Sequence, residues 1–135
     1  QEGHEEAMKL YKKALEIYKK TIGEDHSSVA DTYHNMADVL KAQGDYKGAM
    51  GLSKKALKID KKNLGEEHPF VGDTYFKIGI LWHYQDETEL ALDMFEKTAV
   101  IYKKAYGTEH SQFCGIVDIL TDMGRPPEDI PELAD

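Results

Sequence analysis

This chain of 135 residues has a single cysteine and fewer basic than acidic residues. Cys114 is the single cysteine, which excludes an internal disulfide and leaves no sign of an oxidising compartment. No run of about 18 apolar residues is present, so the sequence predicts no transmembrane helix. The chain contains 17 basic and 25 acidic residues, which gives it a formal net charge of −8. That balance disfavours binding to nucleic acid or to anionic membranes, because both favour a basic protein face.

The remaining composition is that of a folded chain. Hydrophobic residues make up 41% and charged residues 31% of it, which argues against disorder. The first residues, Gln1-Glu2-Gly3-His4, contain neither an initiator methionine nor the pattern of a signal peptide. We therefore interpret the sequence as part of a longer protein and expect a cytoplasmic location.

A short loop motif recurs along the chain. Its three copies are Gly23-Glu24-Asp25-His26, Gly65-Glu66-Glu67-His68 and Gly107-Thr108-Glu109-His110. The glycines and the histidines both step by 42 residues, and residues 1–26 laid on residues 43–68 give 14 identities. Such regular self-similarity predicts a protein built from repeats.

Each 42-residue period contains two predicted helices. Apolar residues of the first recur at the spacing of one helix face. They are Val29, Tyr33, Met36, Ala37 and Leu40. The buried side of the second is predicted to be Ala49, Leu52, Ala56, Leu57 and Ile59. Gly44 suits a left-handed helix cap, Asp45 an N-cap, and Pro69 the first turn of the next helix.

Applied along the whole chain, the period predicts an all-α fold of about six helices. They are His4–Ile22, Ser27–Gln43, Asp45–Leu64, Pro69–Tyr84, Thr88–Tyr106 and His110–Met123. Residues 124–135 form an acidic tail with three prolines, and we expect a linker or a disordered end there.

The small and large residues of each pair resemble the signature of the tetratricopeptide repeat. In one copy they are Tyr33, Met36, Ala37 and Leu40, followed by Ala49, Ser53 and Ala56. In the next they are Tyr75, Ile78, Gly79 and Trp82, followed by Ala91, Phe95 and Thr98. The 42-residue length and the Gly-Glu-Asp/Glu-His-Pro loop resemble the kinesin light chain type of this repeat. Ala37 and Gly79 are expected to let the second helix approach closely.

The resemblance implies a right-handed α-solenoid of antiparallel helix pairs over residues 1–123. Its parts would be a partial repeat (1–22), two repeats (27–64 and 69–106) and a final helix (110–123). It also implies a protein–protein interaction module that holds a peptide in a concave groove lined by the first helices. We expect no catalytic residues and no cofactor, since the sequence contains no phosphate loop, nucleophile elbow or zinc-protease motif.

Thirteen residues are predicted to face the groove when Ala37 is taken as the small signature position. They are Asp31, His34, Asn35, Asp38, Lys41, Asp73, Phe76, Lys77, Ile80, His83, Tyr84, Asp118 and Asp122. Asn35 matches an asparagine with which this family often holds peptide backbone, but Lys77 replaces it one repeat later. The predicted groove set contains five acids and two lysines. Kinesin light chains, in contrast, are known for a basic groove that binds acidic peptides. We therefore expect a partner peptide that bears Lys or Arg.

Two features of this set sharpen the hypothesis. Asp118 and Asp122 are like charges one turn apart, and Asp122 lies near a helix C-terminus, where negative charge is unfavourable. Phe76, Ile80 and Tyr84 form an apolar stripe on a face that should be open, as binding surfaces often do.

Other residues have plainer interpretations. His26, His68 and His110 lie in separate loops, too far apart to share one metal ion, so we expect them to cap the repeats and predict no metal site. Cys114 occupies the position of Ala30 and Gly72, which predicts a small packing residue. Five lysine pairs fall on second helices and are expected to face solvent. They are Lys12-Lys13, Lys19-Lys20, Lys54-Lys55, Lys61-Lys62 and Lys103-Lys104.

An alternative function is architectural. The first predicted helix lacks its preceding partner helix, so its apolar face is expected to be bare and could pair with a second copy in a homo-oligomer. A catalytic domain fused elsewhere in a longer protein also stays open.

Overall fold

The computed structural model describes residues 2–134, apart from the side chain of Glu2. Residues 1 and 135, which the predicted repeat region and tail include, lie outside the described residues. Those described form six α-helices and one turn of 3-10 helix, with no strand among them. The elements are α1 (Glu2–Thr21), α2 (Ser27–Ala42), α3 (Tyr46–Leu64), α4 (Pro69–Tyr84), α5 (Thr88–Tyr106), α6 (Ser111–Asp122) and η1 (Pro127–Asp129). The predicted all-α fold is confirmed, and each helix bound differs from its prediction by at most two residues.

The chain divides into two compact units after Gly65. The first unit contains α1, α2 and α3, and the second contains α4, α5, α6 and η1. Within each unit, a three-residue turn joins a first helix to a second one, as in a helical hairpin. The single repeat array predicted over residues 1–123 stays a prediction.

The core of the first unit lies between α2 and the second helices on either side of it. Its buried members combine large and small side chains, which lets the helices interdigitate. They are Val29, Ala30, Tyr33, Met36, Ala56 and Ile59. Half-buried apolar residues of α1 and α3 pack against this cluster, namely Met8, Tyr11, Leu15, Tyr18 and Leu52.

In the second unit, Gly79 of α4 lies directly against side chains of α5. A Cβ added to Gly79 would lie 2.6 Å and 2.8 Å from two ring atoms of Phe95 and 3.2 Å from Cβ of Met94. Phe95 is buried, with 3% of its surface exposed. The predicted role of Gly79 is therefore confirmed: its missing side chain makes room for the Phe95 ring.

Each first helix begins with a histidine cap. The Nδ1 atoms of His26, His68 and His110 accept hydrogen bonds from the backbone N–H groups two residues later, at 3.0 to 3.1 Å. These bonds satisfy donors that the first turn of a helix leaves free, so the predicted cap role is confirmed. Asp45 caps α3 in the same way by accepting from the N–H of Gly48 at 2.9 Å.

The tail does not match the expectation of a linker or disordered end. Helix α6 has 12 residues, against 16 in α2 and α4, so it ends about one turn early. The chain then folds back, and Ile130 and Leu133 are buried. Composition alone suggested disorder because prolines and acids dominate the segment, but two apolar side chains and Arg125 fix it to the helices.

Arg125 holds this tail against α5. Its guanidinium forms ion pairs with Glu89 at 2.7 Å, with Asp93 at 2.9 Å, and with Glu96. These carboxylates raise the pKa of Arg125 above its ordinary value, with the hydrogen bond to Asp93 as the largest cause and burial acting against it. One cation thus offsets three acids that would otherwise repel one another on the α5 surface.

Cys114 also differs from its prediction. The two residues at its position in the earlier periods, Ala30 and Gly72, are buried. A Cβ at Gly72 would lie about 3 Å from Tyr102 and Ile101 of α5, whereas Cys114 is exposed. The difference arises because, among residues 2–134, α6 is followed by the short tail and not by a second helix that could cover this position.

Candidate functional site

In the first unit, α2 presents three of the predicted groove residues to solvent. Asp31, Asn35 and Asp38 are all exposed, and their spacing of four and three residues places them on one side of the helix. Lys41 is half-buried one turn further on. This part of the face is polar and predominantly acidic.

His34 takes a different role from its neighbours. Its Nε2 lies 3.0 Å from Oδ2 of Asp60 on α3, and both side chains are largely buried. The pair links the two helices of the repeat, so His34 contributes to the fold as well as to the predicted face. Asp60 was not among the predicted residues.

In the second unit, Asp73 is likewise tied to the second helix. The hydroxyl of Tyr102 on α5 donates a hydrogen bond to its carboxylate. Burial, followed by this hydrogen bond and the charge of Asp73, raises the pKa of Tyr102 well above its ordinary value. Asp73 is half-buried and is therefore a weaker candidate for direct contact with a partner than the sequence suggested.

The three residues of the predicted apolar stripe on α4 differ in their exposure to solvent. Phe76 and Ile80 are half-buried, while Tyr84 is 52% exposed. Lys77 and His83 are exposed beside them, and the rings of His83 and Tyr84 lie 6.4 Å apart. Phe76 packs on Phe95 with 5.5 Å between ring centroids, which fixes the base of the stripe.

Phe76 also forms one wall of a cleft of about 170 Å³ in this unit. The other lining residues come from α5 and α6. They are Tyr102, Gln112, Gly115, Ile116 and Ile119. None of these five residues is among the thirteen predicted ones, although the 42-residue register could have identified Tyr102 as the counterpart of Asp60.

Asp118 and Asp122 extend from the same helix that closes this cleft. Both are exposed, and neither forms an ion pair with any side chain in residues 2–134. No basic residue stands in the last turn of α6 to offset them. Their charges are consequently available to a cationic group from outside the chain.

Two lysines at the ends of second helices form ion pairs with acids of the connecting loops. Lys62 at the end of α3 pairs with Asp25, and Lys104 at the end of α5 pairs with Glu67 at 2.9 Å. The second ion pair is the counterpart of the first, since both of its residues lie 42 positions further along the chain. Both ammonium groups are exposed and each lies beside an acid, as expected for lysines on a solvent-facing helix surface.

The described residues show no grouping typical of metal catalysis. No three side chains of His, Cys, Asp or Glu converge on one point between residues 2 and 134. In the same range, every helix is too short or too polar to cross a bilayer.

Comparison with known proteins agrees with the repeat pattern. A sequence profile of the tetratricopeptide repeat matches residues 1–62, and a second profile with the same description matches residues 73–112. A comparison with curated protein sequences gives no match.

Two solved structures illustrate the similarity in fold. BtubC (BKLC) from P. vanneervenii has a TM-score of 0.81 and 20% identity, and the match covers 97% of this chain and 52% of that one. A putative kinesin light chain from Podosopora anserina, with nearly identical TPR-like repeats, has a TM-score of 0.75 and 22% identity, covering 89% and 57%. This chain therefore spans about half the length of the structures it matches. The two profiles, together with the helix hairpins, show that the chain belongs to the tetratricopeptide-repeat family.

Proposed function

We propose that this chain is a protein-interaction module that binds a peptide segment of a partner on the exposed faces of its first helices. Tetratricopeptide repeats are generally protein-interaction modules, and their fold is typically a non-catalytic scaffold. The observation that carries the proposal is the pairing of unneutralised acids with an apolar cleft, since Asp118 and Asp122 lie on the helix that closes the Phe76 cleft. The cytoplasmic location expected from the sequence is part of this proposal.

The charge of these faces favours a basic peptide. Four of the five predicted acids are exposed, namely Asp31, Asp38, Asp118 and Asp122. Of the two predicted lysines, Lys77 is exposed and Lys41 is half-buried. A peptide bearing Lys or Arg would gain complementary contacts, and an acidic peptide would meet like charge.

The test begins with selection of random dodecapeptides displayed on phage against the 135-residue chain. We expect the selected peptides to contain more Lys and Arg than Asp and Glu. Affinity of a selected peptide is then measured by fluorescence anisotropy for the wild type and for the double variant Asp118→Asn, Asp122→Asn. Exposed ion pairs contribute roughly 0.2–1 kcal/mol each, so the double variant should bind about two- to thirtyfold more weakly and show a smaller salt dependence.

A matched control removes two charges elsewhere. Asp86→Asn with Glu87→Gln changes the net charge equally at the exposed turn between α4 and α5. The control should bind as the wild type does. Equal loss in both double variants would show that only the overall charge matters, and an excess of acidic peptides in the selection would overturn the proposed polarity.

Self-association is a second candidate function, favoured by α1. Leu10 and Ile17 are 62% and 58% exposed on this helix, whereas Ile59, the counterpart of Ile17 in α3, is 6% exposed. Such a bare apolar pair could be covered by another copy. Sedimentation equilibrium at several concentrations tests this: dimers that disappear with Leu10→Gln, Ile17→Gln support it, and a monomer throughout contradicts it.

A further inference from the structure

We propose that the cleft between α4, α5 and α6 receives one apolar side chain of the partner peptide, while Asp118 and Asp122 bind a Lys or Arg of the same peptide. This inference rests on the proposed function and specifies its ligand. The occupant is thus a peptide with an aliphatic or aromatic residue within a few positions of a basic one.

The size of the cleft decides what it can hold. Sites for drug-sized molecules measure about 300–1,000 Å³. At about 170 Å³, this cleft is too small for such a ligand and suits a single side chain. An anchor of this kind, inserted by a larger partner, is the usual source of affinity in a peptide interface.

The walls of the cleft are held in place before any ligand arrives. Phe76 is fixed by its contact with the buried ring of Phe95. Tyr102 is buried, and its hydroxyl is held by Asp73, so its ring presents only apolar surface to the cleft. A rigid wall lowers the conformational entropy lost on binding.

Gly115 keeps the cleft open. Glycine is unfavourable inside a helix, and packing does not require it here, because a Cβ at Gly115 would meet no atom within 4 Å. The contrast with Gly79, where the same atom would strike Phe95, shows that the two glycines serve different purposes. At Gly115 the absence of a side chain leaves room for a group from outside.

The acids stand next to this opening. Asp118 follows Gly115 by three residues, and Asp122 follows Ile119 by three, so each acid neighbours a cleft residue on the helix surface. A basic residue a few positions from the anchored side chain can therefore reach one of them. This adjacency is what selects a mixed apolar and basic peptide over a purely basic one.

The experiment fills the cleft without disturbing the fold. Gly115→Leu places an aliphatic side chain where the partner's would lie, and Gly51→Leu is its control, because Gly51 is also an exposed helical glycine whose Cβ would meet nothing within 4 Å. The probe is a phage-selected dodecapeptide, together with a copy in which its apolar residue is replaced by serine. Affinities are measured by fluorescence anisotropy, and folding is checked by thermal melting.

We expect Gly115→Leu to weaken binding about ten- to hundredfold, the effect of losing one buried apolar side chain. Gly51→Leu should leave the affinity within about twofold of the wild type, and neither variant should lower the melting temperature, because leucine is the better helix former. The serine peptide should bind the wild type weakly and discriminate little between wild type and Gly115→Leu.

Failure of the inference is distinguishable from failure of the proposed function. If selected peptides are basic but share no apolar residue, or if Gly115→Leu binds them as tightly as the wild type, the anchor is refuted while the interaction module stands. If no peptide is selected above background, the proposed function and the anchor are both contradicted.

Discussion

Gly79→Ala provides the sharpest test of how the second unit is packed. In an open helical position this change adds about 0.5–1 kcal/mol of stability, because alanine loses less backbone entropy on folding. At Gly79 the new methyl would lie 2.6 Å from the Phe95 ring, which is buried and supported by Phe76. Overpacking of a filled core costs typically 1–3 kcal/mol. The clash outweighs the gain over most of these ranges, leaving a net destabilisation of roughly 0–2.5 kcal/mol, centred near 1 kcal/mol.

Urea unfolding measures the change in the free energy of unfolding, and the fluorescence of Trp82, the single tryptophan, reports it from α4. Gly51→Ala is the control and should be stabilised by about 0.5–1 kcal/mol. Phe95→Leu should restore part of the stability lost in Gly79→Ala, which a double-mutant cycle would report as favourable coupling. If Gly79→Ala is as stable as Gly51→Ala, the account of close packing between α4 and α5 is wrong.

Three further outcomes follow from other contacts. His68→Ala should lower the free energy of unfolding in urea by about 0.5–2 kcal/mol, whereas His68→Asn keeps a side-chain acceptor and should lose less. Arg125→Met should loosen the tail by about 1–2 kcal/mol, so that amide exchange at Ile130 accelerates about five- to thirtyfold; unchanged exchange would contradict the role of the ion pairs. The raised pKa of Tyr102 contributes stability that is complete below about pH 10 and lost as the pH rises above it. From about pH 9 to about pH 11, the urea midpoint of Tyr102→Phe should accordingly fall less than that of the wild type.

The helices and their caps could be predicted because they depend on local signals that the period repeats three times. The spacing of apolar residues set the helix bounds, and glycine followed by a cap-forming histidine marked each restart. The close approach at Gly79 was also predictable, since a missing side chain beside a bulky Phe95 has one simple packing explanation.

The details of the site depend on contacts between helices that one sequence does not reveal. Asp31 and Asp73 look equivalent in the register, but only Asp73 is held by a tyrosine, because Tyr102 stands where the first unit has Asp60. The tail was misjudged because its composition resembles a linker, whereas Arg125 and two buried apolar side chains bind it to the helices. The groove assignment of the thirteen residues stays a prediction.

The central claim is that the first helices of this chain, and not the lysine-bearing second helices, bind a basic peptide with an apolar anchor. Amide and methyl chemical-shift mapping with a phage-selected peptide tests it most directly. We expect the largest shifts at Phe76, Gly115, Asp118 and Ile119. Shifts confined to the exposed faces of α3 and α5 would contradict it.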